Sequence, residues 1–464
     1  MNRLLAVLGV LGLGVVATAL ILSVTQEPTL VVGGLLGLCY CVLVVARNDW
    51  ALSLLVVSFS MLHVFLLHLP GSILSVTDTL LLAYCSITLL MILFDRRKKL
   101  SRENLPYLAV FMLIAAISIT VSTDLRNSIA FYLRICLVLS FHFIVLTQVA
   151  TEKQIKNLIV CYIAAVLLMI LMNTNEIAKF TIVKMVRFKG ASGNPNILGG
   201  FTGSALILVV YFLLYAEKRI NRIISLFLVL FFGTTLLFTY SRWSWISFFC
   251  IFIYWMYLNR VNRPALMLLT FISLIFFVFD DQLLEIFQRR GLTGDSTRNR
   301  LLNYSYGLRA IVEYPLLGIG FDQYDSLYSY IWLPMGAYKR APHSLYIKIG
   351  VEVGIIGLAV FVYTLLRMIV RLVTRIAQLE LKDSERMYLN TLYILAVHQL
   401  LLGFSTSNLN SPAFWLFFAL VNVQWSLLGK RLSRAEEVAV TSLPSAPPSV
   451  REPGRLLPDH AATR

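Results

Sequence analysis

Apolar runs of 15 to 23 residues recur from Leu4 to Leu428, separated by mostly short polar connections. Each run is about long enough for a helix to cross a hydrocarbon layer roughly 30 Å thick. The pattern predicts fourteen spans: Leu4–Val24, Thr29–Ala46, Trp50–Leu69, Ile73–Phe94, Leu105–Val121, Ser128–Val149, Ile155–Met172, Ile197–Ala216, Ile223–Tyr240, Trp243–Leu258, Ala265–Phe279, Ser344–Leu366, Met387–Leu402 and Ala413–Leu428. Two or three are short, so the reading is an all-α integral membrane protein, a polytopic bundle of about 12–14 transmembrane helices. Leu4–Val24 has only Arg3 ahead of it and no small-residue cleavage pattern after it, and reads as a retained helix. Residues 1–430 form the expected membrane domain, with a 64-residue outer loop (280–343) inserted. The proline-rich end of the chain makes 431–464 an expected disordered tail.

Composition agrees with this pattern. Of 464 residues 58% are hydrophobic and 14% charged, with a mean hydropathy of +0.78, which excludes an assembly of soluble domains. The net charge of +16, from 40 Lys+Arg against 24 Asp+Glu, fits nucleic acid, anionic lipid or topology until it is placed along the chain. With Arg3 inside, one side collects 25 basic and 12 acidic residues, net +13, and the other 13 and 10, net +3. Arg134, Lys348, Asp78 and Glu352 lie within spans. The bias predicts both termini in the cytoplasm, and it leaves no argument for nucleic acid. Cys39, Cys41, Cys85, Cys136, Cys161 and Cys250 all fall in apolar spans without metal-ligand spacing, which reads as packing.

Four basic elements fall on the outer side in this topology. The first is Arg187-Phe188-Lys189-Gly190-Ala191-Ser192-Gly193-Asn194-Pro195-Asn196, where glycines can turn N–H groups inward and Asn194 or Asn196 can cap the next helix. This suits a phosphate, although an ordinary capped loop has the same pattern. The second is the tight turn Ser241-Arg242-Trp243-Ser244, whose guanidinium either grips phosphate oxygens or snorkels beside an aromatic belt. The third runs from Asp295-Ser296-Thr297-Arg298-Asn299-Arg300 through an amphipathic helix, with Arg300 and Arg309 on its polar side, that Pro315 stops. The fourth is Pro342-His343-Ser344-Leu345-Tyr346 at the entrance to a span; His343 alone among the six histidines lies in an outer loop at a helix entrance, placed to accept a proton from a hydroxyl. Inside the spans Lys348 and Glu352, four apart, are expected to pair, whereas Asp78 and Arg134 could pair across helices or line a cavity.

Taken together, these elements resemble the O-antigen ligase and O-antigen polymerase superfamily of bacterial envelope glycosyltransferases. The resemblance runs from Arg187…Asn194-Pro195-Asn196 through Thr239-Tyr240-Ser241-Arg242 and Arg300-Leu301…Pro315-Leu316-Leu317-Gly318-Ile319-Gly320 to Pro342-His343-Ser344-Leu345-Tyr346…Glu352-Val353-Gly354. It implies a protein of the bacterial inner membrane with a periplasmic site, moving a glycan from undecaprenyl diphosphate to the hydroxyl of lipid A–core. By that likeness Arg187, Arg242 and Arg300, with Lys189 and Arg298 as secondary candidates, stabilise the diphosphate. His343 becomes the general base of an inverting, metal-independent transfer. Tyr324, Tyr328, Tyr330, Trp332 and Tyr338 could stack sugar rings or form an interfacial belt. The acidic pairs Asp280-Asp281 and Asp322…Asp325 are the places where a divalent metal would otherwise bind.

Three other readings remain open at this stage. A polymerase of the same superfamily would pass the chain to a second lipid-linked repeat unit, and a related oligosaccharyltransferase would use protein hydroxyls. A transporter or flippase for a lipid-linked glycan would place its binding residues near the midplane and show a repeat between halves. The sequence shows no such repeat.

Overall fold

The computed structural model describes residues 28–61, 76–95, 100–172, 187–259, 295–329 and 343–442. Among these, every regular element is helical. Thirteen α-helices are described: α1 (Pro28–Ala46), α2 (Asn48–Ser58), α3 (Val76–Phe94), α4 (Leu105–Ile119), α5 (Leu125–Gln148), α6 (Glu152–Leu171), α7 (Pro195–Tyr215), α8 (Arg219–Phe238), α9 (Arg242–Asn259), α10 (Asp295–Glu313), α11 (Leu345–Gln378), α12 (Asp383–Leu402) and α13 (Pro412–Ser442). Seven of them contain stretches long and apolar enough to cross a membrane: Thr77–Phe94, Leu125–Gln148, Glu152–Leu171, Pro195–Tyr215, Arg219–Phe238, Leu345–Gln378 and Pro412–Arg434. The chain is an all-α polytopic membrane protein. The expected spans Leu4–Val24 and Ala265–Phe279 lie outside the described residues, as does the second half of Trp50–Leu69.

Helices α7 and α13 form the centre of the bundle. Helix α7 packs against α6, α8, α9 and α12, and α13 against α5, α11 and α12. Lipid tails are as apolar as leucine, so helices associate here through close packing and interhelical hydrogen bonds rather than water exclusion. Small residues permit that approach: a Cβ on Gly199 would lie 2.6 Å from the Ser244 hydroxyl, and one on Gly200 2.9 Å from Leu402. Polar groups drawn into the bundle find partners. Asp78 on α3 is buried and meets Arg134 on α5 at 3.1 Å, which decides between the two readings left open for these residues. On α12, His398 is hydrogen-bonded to Ser204 on α7 at 3.0 Å.

Two local features shape the rest. Helix α10 is the amphipathic helix expected before Pro315, and it packs on the start of α11 through Ala310, Ile319, Tyr324 and Val351. Helix α11 is interrupted at Gly354 (φ 79, ψ 176), and the segment after α10 supplies partners there: Ile355 N–H donates to the Pro315 carbonyl (2.8 Å) and Ile319 N–H to that of Val351 (2.9 Å). At the other end, α13 continues to Ser442, so the tail boundary expected at 430 falls within a helix. Arg431 there contacts both Glu152 and Glu385, ion pairs that hold the start of the expected tail against α6 and α12.

Candidate active site

Arg187 and the turn before α9 form one unit. The Phe188 N–H donates to the Phe238 carbonyl at 3.1 Å, which sets the incoming strand of chain beside the end of α8. Arg187 then donates from Nε to the Thr239 carbonyl (3.1 Å) and from Nη2 to Asn196 Oδ1 (2.8 Å). The same Asn196 oxygen accepts from the Ser241 hydroxyl at 2.9 Å, so one amide joins both motifs. Asn194, not Asn196, is the helix cap: its Oδ1 accepts the Asn196 N–H at 2.9 Å. The glycines serve the turn, with φ 54 at Gly190 and φ 64 at Gly193, while Lys189 beside them is exposed. Tyr240 adopts φ 46, a left-handed conformation that a bulky residue enters only when its surroundings demand it. That turn delivers Arg242 as the first residue of α9.

Arg242, Arg300 and His343 ride on three different elements that share one anchor. The indole of Trp243 donates to the Leu401 carbonyl at 2.9 Å. The Tyr304 hydroxyl, one turn along α10 from Arg300, donates to the Phe404 carbonyl at 2.8 Å. Two residues beyond His343, the Leu345 N–H donates to Gly403 (2.7 Å), and the Tyr346 hydroxyl donates to Leu400 (2.7 Å). The last turn of α12 and the residues just after it, Leu400–Phe404, therefore hold all three elements through their backbone carbonyls. Phe404 adds ring contacts to Tyr346 (4.7 Å) and Trp243 (6.2 Å).

This convergence is visible electrostatically. The pKa of Arg300 is lowered by its burial and further by the positive charge of Arg242, against the opposing influence of Tyr304. Two guanidiniums from sites 58 residues apart in sequence have been brought within each other's field. Two like charges placed so favour an anion between or beside them. His343 immediately precedes Ser344, whose hydroxyl caps α11 by accepting the Ile347 N–H. It too has a left-handed backbone (φ 48), so its direction at the helix entrance is fixed by more than its own preference.

Below this layer, Lys348 binds Asp322 at 2.8 Å and Glu352 at 3.6 Å, and lies over the Phe131 ring at 4.5 Å. The expected Lys348–Glu352 pair thus has a third member. Asp322, one of the carboxylates considered for a metal, is engaged by this lysine, and Asp280-Asp281 lie outside the described residues. Tyr324 packs inside the protein. It is only 5% exposed, its hydroxyl donates to the Asn303 carbonyl and its N–H to Glu352, so its ring packs α10 onto α11. Trp332, Tyr330 and Tyr338 lie outside the described residues, and of Arg298 and Tyr328 only the backbone is described.

The class defined by these features is a multi-pass, all-helical membrane protein with a cluster of arginines and a histidine at one end of its bundle. Residues 227–362 match the family model Wzy_C, described as O-antigen ligase, from within α8 to beyond the Gly354 break. That match supports the resemblance to the O-antigen ligase and polymerase superfamily over this segment. It includes Arg242, Arg300 and His343 but not Arg187. No curated protein matches the chain.

Proposed function

We propose that the protein transfers a glycan from a polyprenyl diphosphate, undecaprenyl diphosphate in bacteria, to an acceptor hydroxyl at the periplasmic face. The observation that carries this reading is the juxtaposition of Arg242 and Arg300 on elements tied to the same carbonyl row as the His343 entrance. His343 accepts the proton of the acceptor hydroxyl as its oxygen attacks the anomeric carbon. The bond from that carbon to the phosphate oxygen breaks, and the diphosphate leaves with the electron pair. Attack opposite the leaving group inverts the anomeric centre. Arg242 and Arg300 meet the charge that develops on the diphosphate, where prepositioned donors stabilise a transition state without reorganising. Arg187 fixes the turn carrying Arg242 and adds positive charge beside it. With three guanidiniums available, the reading is metal-independent.

The acceptor is lipid A–core in the reading we favour, which makes the protein a ligase. The test incubates purified protein with an undecaprenyl-diphosphate glycan and either lipid A–core or a second carrier-linked repeat, with and without chelator. Product on lipid A–core supports the ligase, and product on the repeat unit alone replaces it with a polymerase. His343→Asn is the informative variant because asparagine tolerates the left-handed backbone at that position. Full activity in that variant removes His343 as base, and loss of activity with chelator returns a metal to the mechanism.

A further inference from the structure

The far end of the bundle carries a second basic site that the transfer reaction does not use. Beyond its break at Gly354, α11 runs on to Gln378, about 36 Å at 1.5 Å per residue, so its last turns lie far from its start beside His343, towards the end opposite the candidate active site. There a cavity of about 400 Å³ opens between α11 and α13, lined by Arg375, Trp425, Ser426, Gly429, Lys430, Ser433 and Arg434. The lining holds three cations and, among the described side chains, no carboxylate. Glu103, Glu152 and Glu385, acids of this end, are bound to Arg371 or Arg431.

The cavity is shaped rather than merely charged. The guanidinium carbons of Arg371 and Arg375 lie 3.4 and 3.9 Å from the centre of the Trp425 ring, and Arg375 also donates to the Trp425 carbonyl at 2.6 Å. A Cβ at Gly429 would meet the Arg375 guanidinium, which would have to move from its place over Trp425. Trp425 lies near the end of the apolar run Ala413–Leu428, and tryptophans at such positions favour the membrane–water interface, where lipid phosphates lie. Guanidinium and ammonium groups around one opening, with Arg375 held against Trp425, suit phosphate oxygens.

We propose that this cavity binds the phosphate group of an anionic phospholipid at the membrane surface opposite the active site. The chemistry is shared with soluble phosphate, and the experiment separates the two. Native mass spectrometry of the full chain in detergent, titrated with phosphatidylglycerol or phosphatidylcholine, reads the bound lipid directly. Lys430 and Arg434 are exposed, so their replacement leaves the helix packing intact. Lys430→Ala with Arg434→Ala is expected to weaken phosphatidylglycerol binding roughly thirtyfold, from ~1 kcal/mol for each cation near a membrane surface. Gly429→Ala, which removes no charge, should weaken it as well. Arg219→Ala with Arg222→Ala, two cations at the same end of α8, should not.

Equal losses in the two double variants would reduce the effect to diffuse surface charge and overturn the site. So would equal binding of phosphatidylcholine, or unchanged binding when Lys430 and Arg434 are replaced. Displacement of phosphatidylglycerol by millimolar inorganic phosphate would assign the cavity to a soluble phosphate and overturn the lipid.

Discussion

The hydroxyl of Tyr304 donates to the carbonyl of Phe404 across 2.8 Å, joining the amphipathic helix α10 to the end of α12. Arg300 precedes Tyr304 by one helical turn, and the tyrosine is the only described side chain of α10 that reaches this carbonyl row. Tyr304→Phe keeps the ring and removes the bond. A net contribution of about 1 kcal/mol for one such bond corresponds to roughly a fivefold fall in turnover if the bond serves to hold Arg300 in place. The effect should fall on kcat more than on KM, with little change in melting temperature. Unchanged kcat would show that α10 is positioned by its packing on α11 alone.

Arg300 supplies a prediction with opposite signs for stability and activity. Its pKa is lowered by burial and then by Arg242, so the folded protein disfavours the charged form relative to the unfolded chain. The resulting penalty is present at every pH below the guanidinium's folded pKa, hence across the whole assay range, and is relieved only as pH rises through it. Arg300→Met should therefore raise the melting temperature while lowering transfer by about a hundredfold or more, the cost of deleting one prepositioned donor. A diphosphate added to the wild type should raise its melting temperature, and should do so far less in the variant. A destabilised or fully active Arg300→Met would sink the idea that this arginine waits for an anion.

How much of this was legible in the sequence depends on which atoms carry each relationship. Arg187, Arg242, Arg300 and His343 stand out because they are charged or titratable side chains in connections between apolar runs. Helix α10 was legible down to its stop at Pro315, since its periodicity and its breaker are both local. The anchor at Leu400–Phe404 was not, because it acts through backbone carbonyls that every residue possesses. Of the side chains that find those carbonyls, Trp243 reads along the chain as part of an aromatic belt, and nothing in the sequence aims Tyr304 or Tyr346 at them. The burial of Tyr324 was not legible for the same reason: it follows from packing with Ala310, Ile319 and Val351, none of which stands out along the chain.

The cluster of Lys348, Asp322 and Glu352 mixes the two cases. Spacing of four announces Lys348 and Glu352, whereas Asp322 arrives from 26 residues away on a left-handed backbone (φ 57). Glu352 is fully buried, and its side-chain Oε2 has no described partner. Lys348→Met strands both carboxylates, and removing one member of a buried ionic group typically costs about 3–5 kcal/mol. The variant should lose thermal stability and release the Asp322 segment, seen as increased amide exchange near Ile319–Tyr324. Adding Asp322→Asn and Glu352→Gln should recover part of the loss. A Lys348→Met protein as stable as wild type would mean that the three charges contribute nothing net.

Gly354 ties the membrane span to the active-site entrance. Its backbone (φ 79, ψ 176) is closed to residues with a side chain, and a Cβ there would collide with the Leu316 carbonyl. The break allows Ile355 to bond Pro315 while Val351 accepts from Ile319, so it sets the angle at which Leu345–Val353 and the preceding His343 meet α10. Gly354→Ala should cost at least ~2 kcal/mol from backbone strain alone, and should lower transfer even at temperatures where the protein remains folded. Gly233 on α8 is the matched control, because a Cβ there meets nothing within 4 Å. Gly233→Ala should be neutral or stabilising by up to ~1 kcal/mol. Melting temperatures and initial rates of the two variants separate the expectations: if Gly354→Ala behaves like Gly233→Ala, the break in α11 plays no part in aiming His343.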